Sequence, residues 1–289
     1  MNNRIVLKAR GKINLAIDVL GKREDGYHEV RMLMQTIRLH DWVILEKHPD
    51  RIIVNSNHKW VPSDERNTAY KAARLILDAA GISEGVIITI KKRIPVAAGL
   101  AGGSADAAAV LKGINEMYSL GMSLDDLMKL GVQVGADVPY CLKGGTAVAE
   151  GIGERITPVA SIEPLVLLLV KPDIGVKTPW VYQNLNLDEI KERPDFNILL
   201  DAIRRMDIDT LSANMVNVLE TVVLKKYPIV ESIKKTLLIE GAAGSLMSGS
   251  GPTVFGIFRK KATAVKAMGR IMKNKNLRVY LTETICEES

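Results

Sequence analysis

Short β-branched and apolar runs, punctuated by Gly, Asp and His, fill the N-terminal part of the chain. They predict strands over Arg4–Ala9, Ile13–Leu20, Glu29–Leu39 and Trp42–Lys47. The pattern then turns helical. Asn67 is placed to cap a helix that runs through Ala80 and ends at Gly81. A strand over Val86–Lys92 follows, then a glycine loop, then an alanine-rich helix from Ser104 to about Tyr118. Ser123-Leu-Asp-Asp126 reads as a capping-box-like start of another helix, which Gly135 stops. Thr146–Glu150 reads as a strand.

Gly and Pro punctuate Gly151–Pro164, and the expected domain boundary lies there: residues 1–160 form one domain and 161–289 a second. Leu165–Lys171 is then a buried strand, and Thr178-Pro179 an N-cap and first residue opening a helix. Helical segments follow over Asn197–Met206, Thr210–Leu224 and Tyr227–Ile239. After the glycine-rich Gly241–Gly251 come strand Thr253–Arg259, helix Ala262–Lys273 and strand Arg278–Thr284. Strands and helices mix without strict alternation, so the class is α+β.

Composition narrows the field. Of 289 residues, 47% are hydrophobic and 25% charged, as in an ordinary globular protein. The net charge of +6 favours anionic ligands. Its basic residues are dispersed and not interleaved with stacking aromatics, which argues against nucleic acid. Met-Asn-Asn-Arg leads straight into strand pattern with no signal-peptide pattern, and the apolar run Pro164–Val170 is far too short to cross a bilayer. Cys141 and Cys286 lack metal-like spacing, and Cys141 reads as a small core residue. The expectation is a cytoplasmic protein without a membrane partner, as monomer or homodimer.

Four segments carry candidate chemistry. Pro95, Val96, Ala97, Ala98, Gly99, Leu100, Ala101, Gly102, Gly103 and Ser104 join a strand to a helix, with Ser104 as expected N-cap. Glycine lets a backbone approach a ligand closely, and a helix start offers N–H groups and the positive end of the dipole. The loop therefore suits an anion, phosphate above all. It is neither a Walker A loop nor a dinucleotide fingerprint, and it is equally an ordinary strand-to-helix turn. Lys12 interrupts an apolar strand and, taken alone, reads as an edge-strand gatekeeper. Asp137, in Gly135-Ala-Asp-Val-Pro139, is placed just after a helix C-terminus, where the dipole disfavours a carboxylate, with Pro139 holding the backbone extended. Met247-Ser-Gly-Ser-Gly-Pro-Thr-Val-Phe255 is a second glycine-rich turn that feeds a buried strand.

Taken in order, these segments resemble the small-molecule kinase superfamily of galactokinase, homoserine kinase, mevalonate kinase and phosphomevalonate kinase. The resemblance covers nearly the whole chain and is weakest between Leu185 and Ile239. It implies a two-domain fold with the active site in a cleft between the domains, ATP as cofactor and Mg²⁺ bound through the ATP phosphates. Lys12-Ile-Asn-Leu15, Asp25-Gly-Tyr-His28, Ala149-Glu-Gly-Ile-Gly153 and the two motifs above are closest to the branch whose acceptor is a cytidyl sugar alcohol, in non-mevalonate isoprenoid synthesis. The implied reaction phosphorylates the 2-hydroxyl of the erythritol moiety.

On that resemblance Lys12 and Asp137 are the catalytic pair. The 95–104 loop holds the phosphates. Asn67 and the Lys91-Lys92-Arg93 run lie where nucleotide contacts are expected, although the run also suits a solvated strand end. Tyr27, His28 and Tyr182 would enclose the cytosine, with Asn14 and Thr178 hydrogen-bonding polar groups of the acceptor. Ser104 is a candidate Mg²⁺-side hydroxyl. Asp106 would repel a triphosphate unless a metal or a Lys intervenes. Two other readings stand beside this one: a sister kinase of homoserine or a mevalonate compound, and a non-catalytic nucleotide-binding protein on the same scaffold.

Overall fold

The computed structural model describes residues 3–161 and 164–285. Its contacts divide the chain into two compact units. One contains residues 1–11, 39–96 and 101–144, the other 12–38, 97–100 and 145–289. The units are thus interleaved in sequence and do not follow the single boundary expected at 160/161.

The cause is two long strands. β1 (Arg4–Lys22) and β2 (His28–His48) each run unbroken where two shorter strands were expected on either side of Gly11 and of His40-Asp41. Residues 11–19 are buried without alternation, so both faces are covered and no break is needed. Asp41 stays inside β2 because tertiary partners consume its carboxylate, as shown below. The turn-forming habit of Asp is a local preference, which those partners override.

In the first unit, β3 (Ile52–Ser56), which the sequence pattern did not reveal, pairs in parallel with β4 (Gly85–Lys91). β4 pairs antiparallel with the Trp42–His48 half of β2. Against these pack α1 (Thr68–Ala79), α2 (Gly102–Met117), α3 (Leu124–Val134) and α4 (Val138–Lys143). Asn67 caps α1, its side chain accepting from Ala69 N at 2.8 Å, and Ser123 and Asp126 form the reciprocal capping box of α3, both as expected. The alanines of α2 (Ala105 and Ala107 to Ala109) are buried and let the helix lie close to the sheet. A Cβ on Gly113 would stand 2.4 Å from Leu45 Cδ1. Cys141 is partly buried and packs against this core; Cys286 lies outside the described residues.

In the second unit, β5 (Thr146–Gly151) pairs with the Val30–Gln35 half of β2 and with β6 (Arg155–Pro158). A separate antiparallel sheet has the order β10-β7-β9-β8, from β7 (Val166–Pro172), β8 (Gly244–Met247), β9 (Val254–Phe258) and β10 (Leu277–Glu283). Its helices are α5 (Thr178–Gln183), α6 (Phe196–Arg204), α7 (Ile208–Asn214), α8 (Glu220–Lys226), α9 (Pro228–Ile239) and α10 (Lys261–Ile271). The single helix expected over Thr210–Leu224 is two. Residues 215–219 instead bond to β1, through Ile17 N to Val216 O at 2.9 Å and Val218 N to Ile17 O at 3.1 Å. Backbone groups spent on a strand cannot also continue a helix. The cap of α5 is Lys177; Thr178 is already helical and its hydroxyl is used elsewhere.

Candidate active site

Between β4 and α2 the chain turns through Ala97 (φ +51°), Gly99 (φ +73°) and Ala101 (φ +54°). Two alanines therefore hold left-handed backbone, a strain of about 1–3 kcal/mol each. The residue capping α2 is Ala101, not Ser104, and no described side chain caps it. Ser104 is the third helical residue. Helix geometry leaves the N–H groups of Gly102, Gly103 and Ser104 without intrahelical partners, and the first helical bond is Ala105 N to Ala101 O at 2.9 Å. A serine cap would have spent one of those donors internally. A sixteen-residue helix adds the positive end of its dipole.

Beneath the loop lies a buried charge cluster that accounts for two puzzles of the sequence. Lys92 is not a solvated strand end. Its Nζ donates to Asp41 Oδ2 at 2.5 Å and to Asp106 Oδ2 at 2.7 Å, and its side chain is 5% exposed. Asp41 Oδ1 also accepts from the backbone N–H groups of Arg93 and of Ile94, the latter at 2.8 Å. A Cβ on Gly102 would stand 3.2 Å from Lys92 Nζ, so the ammonium abuts the first residue of α2. Lys92 is therefore the cation that the sequence required beside Asp106. Burial pushes the Asp106 carboxyl up to about 7, opposed by Lys92 and reinforced by Asp41. Lys92 itself is raised, its two carboxylates outweighing the cost of burial.

Asn67 is likewise engaged in structure. Its side chain caps α1 and donates to Pro62 O at 2.6 Å. Thr68 Oγ1 next to it donates to Gly103 O at 2.8 Å, which ties α1 to the start of α2. Asp137 lies just past the C-terminus of α3, as expected, since α3 ends at Val134 with Gly135 as its cap. It is the N-cap residue of α4, with φ −80° and ψ −10°, and Pro139 sits in the first helical turn, not in extended chain. The start of α4 therefore offsets, for the Asp137 carboxylate, the unfavourable end of α3.

In the second unit, Lys12 is buried inside β1 and is not an edge gatekeeper. Its backbone N–H donates to Leu100 O at 3.1 Å, and its ammonium donates to Asn14 Oδ1 at 2.7 Å. Asn14 is fully buried and also reaches Met32 Sδ at 3.5 Å. The Ser248–Gly251 turn packs against the same stretch of loop: Ser248 Oγ donates to Gly99 O at 2.9 Å. A Cβ on Gly99 would meet Ser248 O at 2.1 Å, so only glycine fits there. Lys12, the loop residues Gly99 and Leu100, and the second glycine turn are thus brought together.

Asp25 shapes the β1–β2 turn, accepting from Tyr27 N at 3.0 Å, while Arg23 N donates to Tyr27 O at 2.8 Å. Tyr27 is left 58% exposed. The His28 ring packs on Tyr182 with centroids 5.2 Å apart. Partial burial, with Lys22 nearby, lowers the His28 pKa, which favours a neutral imidazole. Thr178 Oγ1 shares a hydrogen bond with Ser250 Oγ at 2.7 Å.

Sequence reasoning missed Asp41 and Asn217, and it singled out the turn that holds Ser248 and Ser250 without giving either serine a role. An acid in an apolar strand and an Asn in the Asn217-Val-Leu-Glu220 stretch were the available signals. Among the described residues no group of three His, Cys, Asp or Glu side chains could hold a metal, and no helix is long and apolar enough to cross a membrane.

A strained loop thus opens a helix, and its residues Gly99 and Leu100 pack against a buried lysine strand and a second glycine turn. Residues 67–145 match the model of the GHMP kinase N-terminal domain and residues 199–275 that of the GHMP kinase C-terminal domain. A homoserine kinase from Cytophaga hutchinsonii shares the fold, with a TM-score of 0.78 at 20% identity, covering 99% of this chain and 96% of that one. The chain belongs to the GHMP kinases and is an ATP-dependent small-molecule kinase.

The relationship is closer still to one member of that class. A 4-diphosphocytidyl-2-C-methyl-D-erythritol kinase of Acetivibrio thermocellus is 55% identical over 281 residues, covering 97% of this chain and 99% of that protein. A crystal structure of 4-(cytidine 5'-diphospho)-2C-methyl-D-erythritol kinase superposes with a TM-score of 0.83 at 32% identity, covering 97% and 99%. Within the GHMP kinases, the chain belongs to the 4-diphosphocytidyl-2-C-methyl-D-erythritol kinase family.

Proposed function

We propose that this chain transfers the γ-phosphoryl group of ATP to the 2-hydroxyl of 4-diphosphocytidyl-2-C-methyl-D-erythritol. The observation that carries the reading is the 95–104 loop. Left-handed Ala101 leaves the first N–H groups of α2 unspent by any cap, and Lys12 is bonded by its backbone to Leu100 of the same loop. Phosphoryl transfer asks mainly for positioning and charge stabilisation, and these are what such a loop and a lysine supply.

The loop N–H groups hold the triphosphate. Mg²⁺, when bound, neutralises charge on the phosphates. The hydroxyl of Ser104 would lie on the Mg²⁺ side, and the cation would otherwise be held through the ATP phosphates. Asp137 accepts the proton of the acceptor hydroxyl, and the Lys12 ammonium stabilises the negative charge that develops on the transferring group. Asn14 orients the Lys12 ammonium through the 2.7 Å hydrogen bond. Tyr182, backed by His28, offers one face to the cytosine and the exposed Tyr27 covers the other. Thr178 faces the acceptor side. Asn67 keeps α1 and its neighbour Thr68 against Gly103. A cytoplasmic location goes with small soluble substrates of this kind.

Asp137→Asn tests the reading. Expected is loss of turnover by a factor of at least about 10³ with ATP affinity kept within a few-fold, because the loss falls on the chemical step. A variant with near-normal kcat removes Asp137 from the mechanism. Turnover of homoserine or mevalonate in place of the cytidyl alcohol would redirect the assignment to a sister kinase.

A further inference from the structure

The second glycine turn touches two parts of the proposed site at once. At one end Ser248 Oγ donates to Gly99 O at 2.9 Å. The contact beside it is backbone on backbone: a Cβ on Gly99 would lie 2.1 Å from Ser248 O, and one on Gly249 would lie 2.9 Å from Gly99 O. Such a contact has no slack, so displacing the turn displaces the loop. At the other end Ser250 Oγ shares its 2.7 Å hydrogen bond with Thr178, the first residue of α5. The same short helix carries Tyr182, whose ring rests on His28.

The turn is also held from behind. Asn217 Nδ2 donates to Met247 O at 2.8 Å and to Gly249 O at 2.9 Å, while its Oδ1 accepts from Leu219 N at 3.0 Å. Glu220, paired with Lys234 at 2.5 Å, accepts from Met247 N at 2.9 Å. Ser248 N donates to Thr253 O and Gly251 N to Ser248 O, each at 2.9 Å. The turn is therefore a stiff piece with two outward hydroxyls, one on the phosphate loop and one on α5. Ser250 is only 7% exposed, so its hydroxyl is committed to this contact and not to solvent.

We propose that Ser250 is a positioning residue which, through the Ser248–Gly99 contact, joins the acceptor-side helix to the phosphate loop, so that cytidyl acceptor and nucleotide strengthen one another's binding. The inference rests on the reading above that Tyr182 and His28 receive the cytosine. Ordering α5 by a bound acceptor holds Thr178 still. Thr178 holds Ser250, and the loop then loses less conformational freedom when it closes on phosphates. The coupling is reciprocal by thermodynamic necessity.

The test uses ADP, which lacks the transferring group and so cannot touch the acceptor through it. Its dissociation constant is measured by calorimetry with and without saturating 4-diphosphocytidyl-2-C-methyl-D-erythritol. In the wild type the acceptor is expected to tighten ADP by about tenfold. Ser250→Ala brings that factor close to one, and Ser250→Thr, which restores a hydroxyl, recovers most of it. Ser248→Ala removes the hydroxyl contact at the other end but leaves the backbone contact, so it lowers the factor only in part, and a folding defect in one variant does not shelter the idea. Coupling that persists in Ser250→Ala, or its absence in a wild type that binds both ligands, overturns the proposal. A wild type that binds ADP but not the cytidyl acceptor overturns the functional reading as well, and that outcome is visible before any variant is made.

Discussion

Residues 95–104 and 247–253 are both glycine-rich turns, yet their backbone groups have different fates. In the first, the chain passes through left-handed Ala97, Gly99 and Ala101 and opens a long helix whose leading N–H groups have no helical acceptor. In the second, the chain joins β8 to β9, and its polar groups are spent inside the protein on Thr253, Ser248, Asn217 and Glu220. Glycine signals close approach in both. Gly99 and Gly249 each face the backbone of the other turn, whereas Gly102 and Gly103 open the helix start that meets a phosphate in the proposed reaction. Richness in glycine therefore marks where a backbone must come near something, and only the fate of the donors says what that something is.

The largest expected effect breaks the first turn from below. Lys92→Met leaves Asp41 and Asp106 buried without their cation, which should destabilise the fold by about 3–5 kcal/mol in urea titration, while the groups holding the second turn are untouched. A loss under about 1 kcal/mol would mean that the cluster is not a clamp.

Next comes the contact between the turns. Gly99→Ala drives a Cβ into Ser248 O at a left-handed φ. The expected loss is about 2 kcal/mol of stability, with the KM for ATP raised at least tenfold and that for the acceptor raised less. Gly121→Ala is the control: its φ is +66° and no described atom lies within 4 Å of the added carbon. It should cost about 1 kcal/mol with both KM values unchanged. Equal kinetic damage in the two variants would show that backbone strain alone, and not the approach of the turns, matters.

The smallest effect concerns charge. The folded-state pKa of Asp106 is raised from the ordinary 3.8 to about 7, so the folded protein holds a proton that the unfolded chain has released. Stability from this group is present below about pH 4 and is lost as pH rises toward 7. Asp106→Asn has no proton to lose. Thermal melts should therefore show the wild type losing stability relative to the variant across that window and no further difference above it. Parallel curves would mean that Asp106 is ionised throughout.

Some of this was legible early, because it is local. Asn67, the Ser123–Asp126 box and the stop at Gly135 depend on residues within one helical turn, and each lies where the pattern placed it. The two glycine turns were visible for the same reason. Ser104 was misassigned as a cap because the cap lies at an alanine forced left-handed, which side-chain preference disfavours. Asp137 was placed correctly after α3, but the helix it opens was missed and Pro139 read as extended, because α4 has only six residues, too few to show a pattern.

By itself the sequence determined the α+β class, the helix starts marked by good caps, the order of the motif-bearing segments and, through their resemblance, the kinase family. Those follow from chain-neighbour preferences and from residue identity. Only the tertiary structure decided that Lys92 is buried against Asp41 and Asp106, that β1 and β2 run through two interleaved units, and that the second glycine turn seats the first. Each of these depends on which distant groups satisfy a buried charge or a backbone polar atom. That satisfaction is a property of packing, and partners tens of residues apart leave no periodic trace along the chain.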